Sequence, residues 1–183
     1  LFSCLSDKDL EVRTRAVTGL GRVGSATALP MLLQALHDIE WPVRAKAAKS
    51  LGNLNLSHSI PELIECLSDK EWWVRHNAAE ALSMLGDEGI NALILCLSSK
   101  DVFCRDQAFS MLQSKGYLSY RLEQINSTNP NIVAKAQNLA ARLLEHLSPQ
   151  EFIDFCDGLS NTETRIALWN MQQKHTKLIE SAA

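Results

Sequence analysis

LSDKEWWVRHNAAEALSML, residues 67–85, joins a polar turn to a run in which Val74, Ala78 and Leu82 recur every four positions. Residues four apart share one face of a helix, so the run predicts an amphipathic helix that starts just after Glu71. Glu71 itself stands where free backbone amides and the positive end of that helix would meet a negative charge. Leu67 closes the apolar segment before the turn. The stretch therefore reads as the joint of a helical hairpin.

The joint recurs with a period of 31 residues. Val12-Arg13, Val43-Arg44 and Val74-Arg75 keep that step, and Cys104-Arg105 follows after 30. Ala16, Ala47, Ala78 and Ala108 stay in register with them, as do Leu5, Leu36, Leu67 and Leu97, and Leu20, Leu51, Leu82 and Leu112. Every one of these turns holds an acidic residue before the second helix: Asp9, Glu40, Glu71 or Asp101. The small side chains of Ala47 and Ala78 predict close approach of neighbouring helices. Further on the pattern loosens. Ala136 follows Ala108 after 28 residues, and Ser148-Pro149-Gln150-Glu151 offers a capping box with proline at the first helical position. A last hairpin repeats the Leu-Ser turn at Leu159-Ser160. The expectation is an all-α chain of about six helical hairpins, the first truncated and the last two divergent. It would form one domain over residues 1–183, regular in 1–115 and divergent in 116–183.

One motif points to a different fold. GLGRVG, residues 19–24, spells the G-x-G-x-x-G of a dinucleotide-binding turn, whose chemistry needs a strand before it and a helix opening at it. Here the glycines fall at the end of a second helix, in register with Ser50 and Ala81, with no strand before them. Gly24 is expected to be a helix C-terminal cap, as is Gly86.

Composition narrows the function classes. With 46% hydrophobic residues the chain of 183 has enough apolar surface for a substantial core. Eighteen basic and 21 acidic side chains give a formal charge of −3, so no global field recruits nucleic acid or an anionic membrane. No apolar run is long enough to span a bilayer and none reads as a signal peptide. The chain opens at Leu1 with LFSCL, which reads as the tail of a helix and implies a segment upstream. The five cysteines, Cys4, Cys66, Cys96, Cys104 and Cys156, are odd in number and lack a C-x-x-C pair. They read as buried small side chains in a reduced, cytoplasmic setting, and neither disulfides nor zinc are expected.

The unit L-S-D-K-E-W-W-V-R-H-N-A-A-E-A-L, residues 67–82, resembles the HEAT repeat, in the short bacterial HEAT-like form also seen in phycocyanobilin lyase subunits. The resemblance implies a right-handed α-solenoid whose second helices line a concave surface. Residues 72–105 are also similar to repeats of bacterial HEAT proteins with an N-terminal membrane segment, which implies that this chain could be the soluble part of an anchored protein. HEAT-like deoxyhypusine hydroxylases hold a di-iron centre through paired His-Glu motifs. Here His37, His58, His76, His146 and His175 are followed by Asp, Ser, Asn, Leu and Thr, so that site cannot be assembled. HEAT-like DNA glycosylases use a basic concave face, of which Arg15, Arg22, Lys46 and Lys49 would supply only part. Repeat similarity does not transmit lyase chemistry either.

Two sets of residues remain. Arg13, Arg44, Arg75 and Arg105 lie at the edge of the buried face and recur in step with Asp7, Asp38 and Asp69, which predicts a ladder of Arg-Asp bonds between neighbouring repeats. Trp41, Trp72, Trp73 and Phe103 cluster at the starts of second helices. Trp72 aligns with Leu10 and Trp41 and covers the turn, whereas Trp73 aligns with Glu11 and Pro42 on the polar side of the wheel. Such rings either close the rim of a repeat or stand out as anchors. Trp73, Asn77 and Glu80, with Phe103 and Gln107 one repeat later, form the candidate partner-binding surface. The chain is read as a non-catalytic scaffold for a protein partner that needs no cofactor. A HEAT-like nucleic-acid binder, glycosylase or lyase is the alternative.

Overall fold

The computed structural model describes residues 3–23 and 26–182, and every regular element among them is helical. A 3-10 turn at Ser3–Ser6 leads into α1 (Leu10–Val23). Pairs of helices then follow: α2 (Leu29–Ala35) with α3 (Trp41–Leu54), α4 (Ile60–Cys66) with α5 (Trp72–Met84), and α6 (Gly86–Cys96) with α7 (Val102–Ser114). Two more pairs are α8 (Tyr117–Leu122) with α9 (Pro130–His146), and α10 (Pro149–Asp157) with α11 (Thr162–Ala182). With α1 as the second helix of a shortened first pair, these are the hairpins the period implied. The chain gathers into two compact units, Leu1–Leu112 and Gln113–Ala183.

In the first unit the second helices pack side by side, α1 on α3 and α3 on α5, while α2 and α4 cover α3 and α5. The repeating leucines and valines fill the space between these layers. Leu32, Leu36, Val43, Leu51, Leu63, Leu67, Val74, Leu82, Leu93, Leu97 and Leu112 are all buried. Each such side chain contributes about 1.5–3 kcal/mol of transfer free energy. Ala16, Ala47 and Ala78 lie where second helices meet and are buried, as their register requires. Closest approach falls at two glycines. A Cβ on Gly21 would stand 2.5 Å from Ser50 Cβ, and one on Gly52 would stand 2.8 Å from the Cα of Ala81. The middle glycine of GLGRVG thus serves helix contact inside α1. Gly86, with φ +63°, takes the left-handed conformation just past α5, the cap expected of it. Gly24 lies outside the described residues.

The turns differ in one respect from the sequence reading. Glu40 and Glu71 occupy the N-cap positions of α3 and α5 with extended backbone, but their side chains accept no cap hydrogen bond. Their own amides donate instead to Oδ1 of Asp38 and Asp69, each at 2.9 Å. Glutamate carries one methylene too many to fold back on the first turn, so the aspartate two residues earlier orders the turn. Where the acid is shorter the expectation holds. Asp9 accepts from the Glu11 amide at 2.7 Å and Asp101 from the Cys104 amide at 2.9 Å.

In the second unit α9 packs against α8, α10 and α11, with Leu139, Ala140, Leu143, Phe152 and Leu168 buried. Asn129 caps α9 by accepting from the Asn131 amide. The capping box of α10 is formed: Ser148 Oγ accepts from the Glu151 amide and Glu151 accepts from the Ser148 amide.

Candidate protein-binding face

Val74 and Cys104 point into the core, so the residue before each, about 100° away on the helix, is turned outward. Those residues are Trp73 and Phe103, which are 55% and 54% exposed. The Trp73 ring meets Trp72 edge to face, with centroids 4.7 Å apart, and Trp72 stacks on His76 at the same separation. Phe103 lies one repeat on, with the Arg75 guanidinium 4.5 Å from its ring centroid. Arg75 thereby ties the ring on α7 to α5 through a cation–π contact.

The other three candidates fare differently. Asn77 is half-buried and donates through Nδ2 to the Ala45 carbonyl at 2.9 Å, linking α5 to α3. Glu80 is half-buried and lines a groove of about 150 Å³ with Lys49, Asn53, Asn77, Ala81 and Met84. Gln107 is 8% exposed, so it does not join the surface expected of it. It occupies the position of Asn77, which already reaches inward, and its longer side chain is covered. Asn53 and Met84 carry no signal of their own in the sequence and Lys49 reads there only as part of the basic set, although the period marks all three: Lys49 aligns with Glu80 and Asn53 with Met84. The basic cluster is diluted. Arg15 is paired with Glu11 on the exposed side of α1, and Lys49 shares its groove with Glu80.

The arginine ladder is present in the first two steps. Arg13 donates to both carboxylate oxygens of Asp38 at 2.8 and 3.0 Å, and Arg44 to those of Asp69 at 2.7 and 3.0 Å. Each arginine also donates through Nη1 to carbonyls of its own turn, Asp7 and Lys8 for Arg13, Asp38 and Ile39 for Arg44. Burial pushes Asp38 and Asp69 up, but the guanidinium and the turn amide more than offset it and leave both below the usual carboxylate range. At the third step the next turn carries Ser99 in the ladder position, and Arg75 lies on Phe103 instead. The loss of one carboxylate thus turns a ladder arginine into support for an exposed ring.

Among the described residues no three His, Cys, Asp or Glu side chains gather as a metal site, and no helix is long and apolar enough to cross a membrane.

The comparisons with known proteins bear on fold and family. No curated protein matches the chain. Among solved structures, the chain is similar to the complex of CpcE and CpcF of phycocyanin lyase from a Nostoc species, at 23% identity and TM-score 0.52, covering 91% of this chain and 72% of that one. Human deoxyhypusine hydroxylase is similar at 22% identity and TM-score 0.51, covering 85% of this chain and 65% of that one. A tubulin-recruiting TOG-domain array of microtubule polymerases matches at 14% identity and TM-score 0.50, covering 95% of this chain and 45% of that one. At these identities the likeness establishes the fold, an all-α solenoid of helical hairpins. The family pattern described as PBS lyase HEAT-like repeat matches residues 12–38, and that described as HEAT repeats matches residues 30–113. Through these two matches, which overlap and together span residues 12–113 with the turns at Glu40, Glu71 and Asp101, the chain is a HEAT-like repeat protein.

Proposed function

We propose that the chain is a non-catalytic scaffold that holds a protein partner on the second-helix face of its first unit. The observation that carries this reading is the pair of exposed rings, Trp73 and Phe103, one repeat apart beside a groove of mixed charge. Large aromatics with a polar rim have the composition of an interface hot spot, whereas a nucleic-acid face would present continuous basic charge. Trp73, Phe103, Glu80 and Asn77 make the contact. The same fold serves tubulin recruitment in the TOG-domain array, in keeping with a protein as the partner class. The match of residues 12–38 to the PBS lyase HEAT-like repeat favours a second reading, in which the chain is one component of a lyase-type complex.

Crosslinked capture from native lysate, run in parallel on the parent and on Trp73→Ala, tests the face. Loss of an exposed aromatic anchor should weaken recovery of the specific partner about tenfold or more and leave the unfolding midpoint nearly unchanged. Equal recovery by both proteins would remove Trp73 from the interface.

A further inference from the structure

Helix α11 keeps the register of the earlier second helices. Thr164 and Leu168 are buried as Val43 and Ala47 are, and the Arg165 amide donates to the Asn161 carbonyl as the Arg44 amide does to that of Glu40. Arg165, Ile166 and Trp169 therefore stand where α3 has Arg44, Ala45 and Ala48. In α3 that side is taken by the next repeat: Ala45 and Ala48 are buried, Asn77 of α5 donates to the Ala45 carbonyl, and Asp69 holds Arg44. On α11 Ile166 and Trp169 are 57% and 53% exposed. Side chains this large also keep a further helix from closing as α5 closes on the alanines and Gly52 of α3. Beside them lies a pocket of about 390 Å³, to which α10 contributes the buried Phe152, Ile153 and Asp157. Arg165 lines it as well. Among the described residues neither Asp157 nor Arg165 belongs to an ion pair, and the Arg165 guanidinium donates to Thr162 Oγ1 at 3.1 Å.

We propose that this face of the second unit binds the same face of a second copy of the chain, forming a two-fold dimer. A patch with an apolar centre and one free charge of each sign is complementary to itself. A half turn brings Asp157 of each copy to Arg165 of the other, and lays Ile166 and Trp169 of each on the other's pocket. Arg165 thereby takes from a second chain the carboxylate that Arg44 takes from the next turn. A partner carrying a single sign of charge would pair with one of the two groups and bury the other alone, a cost the dimer avoids.

Sedimentation equilibrium of the whole chain over a dilution series tests the dimer. The parent is expected to approach twice the mass of one chain as its concentration rises. Arg165→Asp sets acids against acids across the two-fold axis and Asp157→Arg sets bases against bases, so each alone is expected to weaken association by about tenfold or more. Mixed, the two variants again set acid against base and are expected to recover a dimer with one chain of each, which misfolded variants could not form. Trp169→Ala is expected to weaken association by about tenfold or more with the unfolding midpoint nearly unchanged. Trp73→Ala, in the first unit, is expected to leave association as in the parent. A parent that stays monomeric throughout, charge variants that do not recombine, or an association abolished by Trp73→Ala would overturn the proposal.

Discussion

Arg44 spans two turns. Its guanidinium grips Asp69 of the next repeat with two bonds and the carbonyls of Asp38 and Ile39 in its own turn with a third group, and Asp69 in turn holds the Glu71 amide. Removing it strands a partly buried carboxylate and two carbonyls, so Arg44→Ala is expected to destabilise the fold by about 1–3 kcal/mol in chemical denaturation. An unchanged midpoint would end its structural role. The pair also makes a pH prediction. Because Asp69 lies below its unfolded value, its stabilisation is complete above that value, about 3.9, and is lost as pH falls through the folded one. The difference in midpoint between parent and Asp69→Asn should therefore stay constant from about pH 7 to pH 5 and shrink below about pH 4. A difference that grows on acidification would contradict the pairing. The aspartates and arginines of this ladder were legible because both recur with the period. The contact of Arg75 with Phe103 was not, because it arises where the period drops a residue and the carboxylate with it.

Between helices, contact distance is set by what is missing from the side chain. Gly52 is interior to α3, where alanine is ordinarily the better helix former by about 0.8–1.0 kcal/mol. Here a methyl would meet the Cα and Cβ of Ala81 at 2.8 Å, and backbone on α5 cannot rotate away. Overpacking of this kind costs about 1–3 kcal/mol, which exceeds the propensity gain. Gly52→Ala is expected to lower the thermal midpoint despite its higher helix propensity, and a raised midpoint would show that α3 and α5 can separate freely. Helix number, hairpin order and the α10 capping box could all be read from the sequence, because each depends on spacing along the chain. The cap chemistry at Glu40 and Glu71 could not, since it depends on one methylene of reach. Gln107 failed for a related reason: a helical wheel assigns direction but not what a neighbouring helix lays over it.

At the scale of the whole chain, charge separates the two classes of macromolecular partner. A formal charge of −3 gives no long-range attraction to a polyanion, and the local basic set is small: Arg15 is paired with Glu11, while Lys49 lines a groove with Glu80. Affinity for a duplex grows with the number of phosphates neutralised, and log K falls with log salt by about 0.9 per phosphate on B-DNA. Of the basic set Arg15, Arg22, Lys46 and Lys49, the salt bridges among the described residues engage only Arg15, so that set offers about three phosphate contacts, against the 6–10 typical of DNA binders that show steep salt slopes. Fluorescence anisotropy is therefore expected to show weak binding of duplex DNA at low salt, with a slope near −3, and no binding tighter than the non-specific range of about 10⁻⁴–10⁻⁶ M at physiological salt. Tight binding there would require basic side chains from outside this face, and would move the functional reading from a protein partner to nucleic acid. The exposed rings of Trp73 and Phe103 would then have to act by stacking on bases, and Trp73→Ala would weaken single-stranded DNA more than duplex.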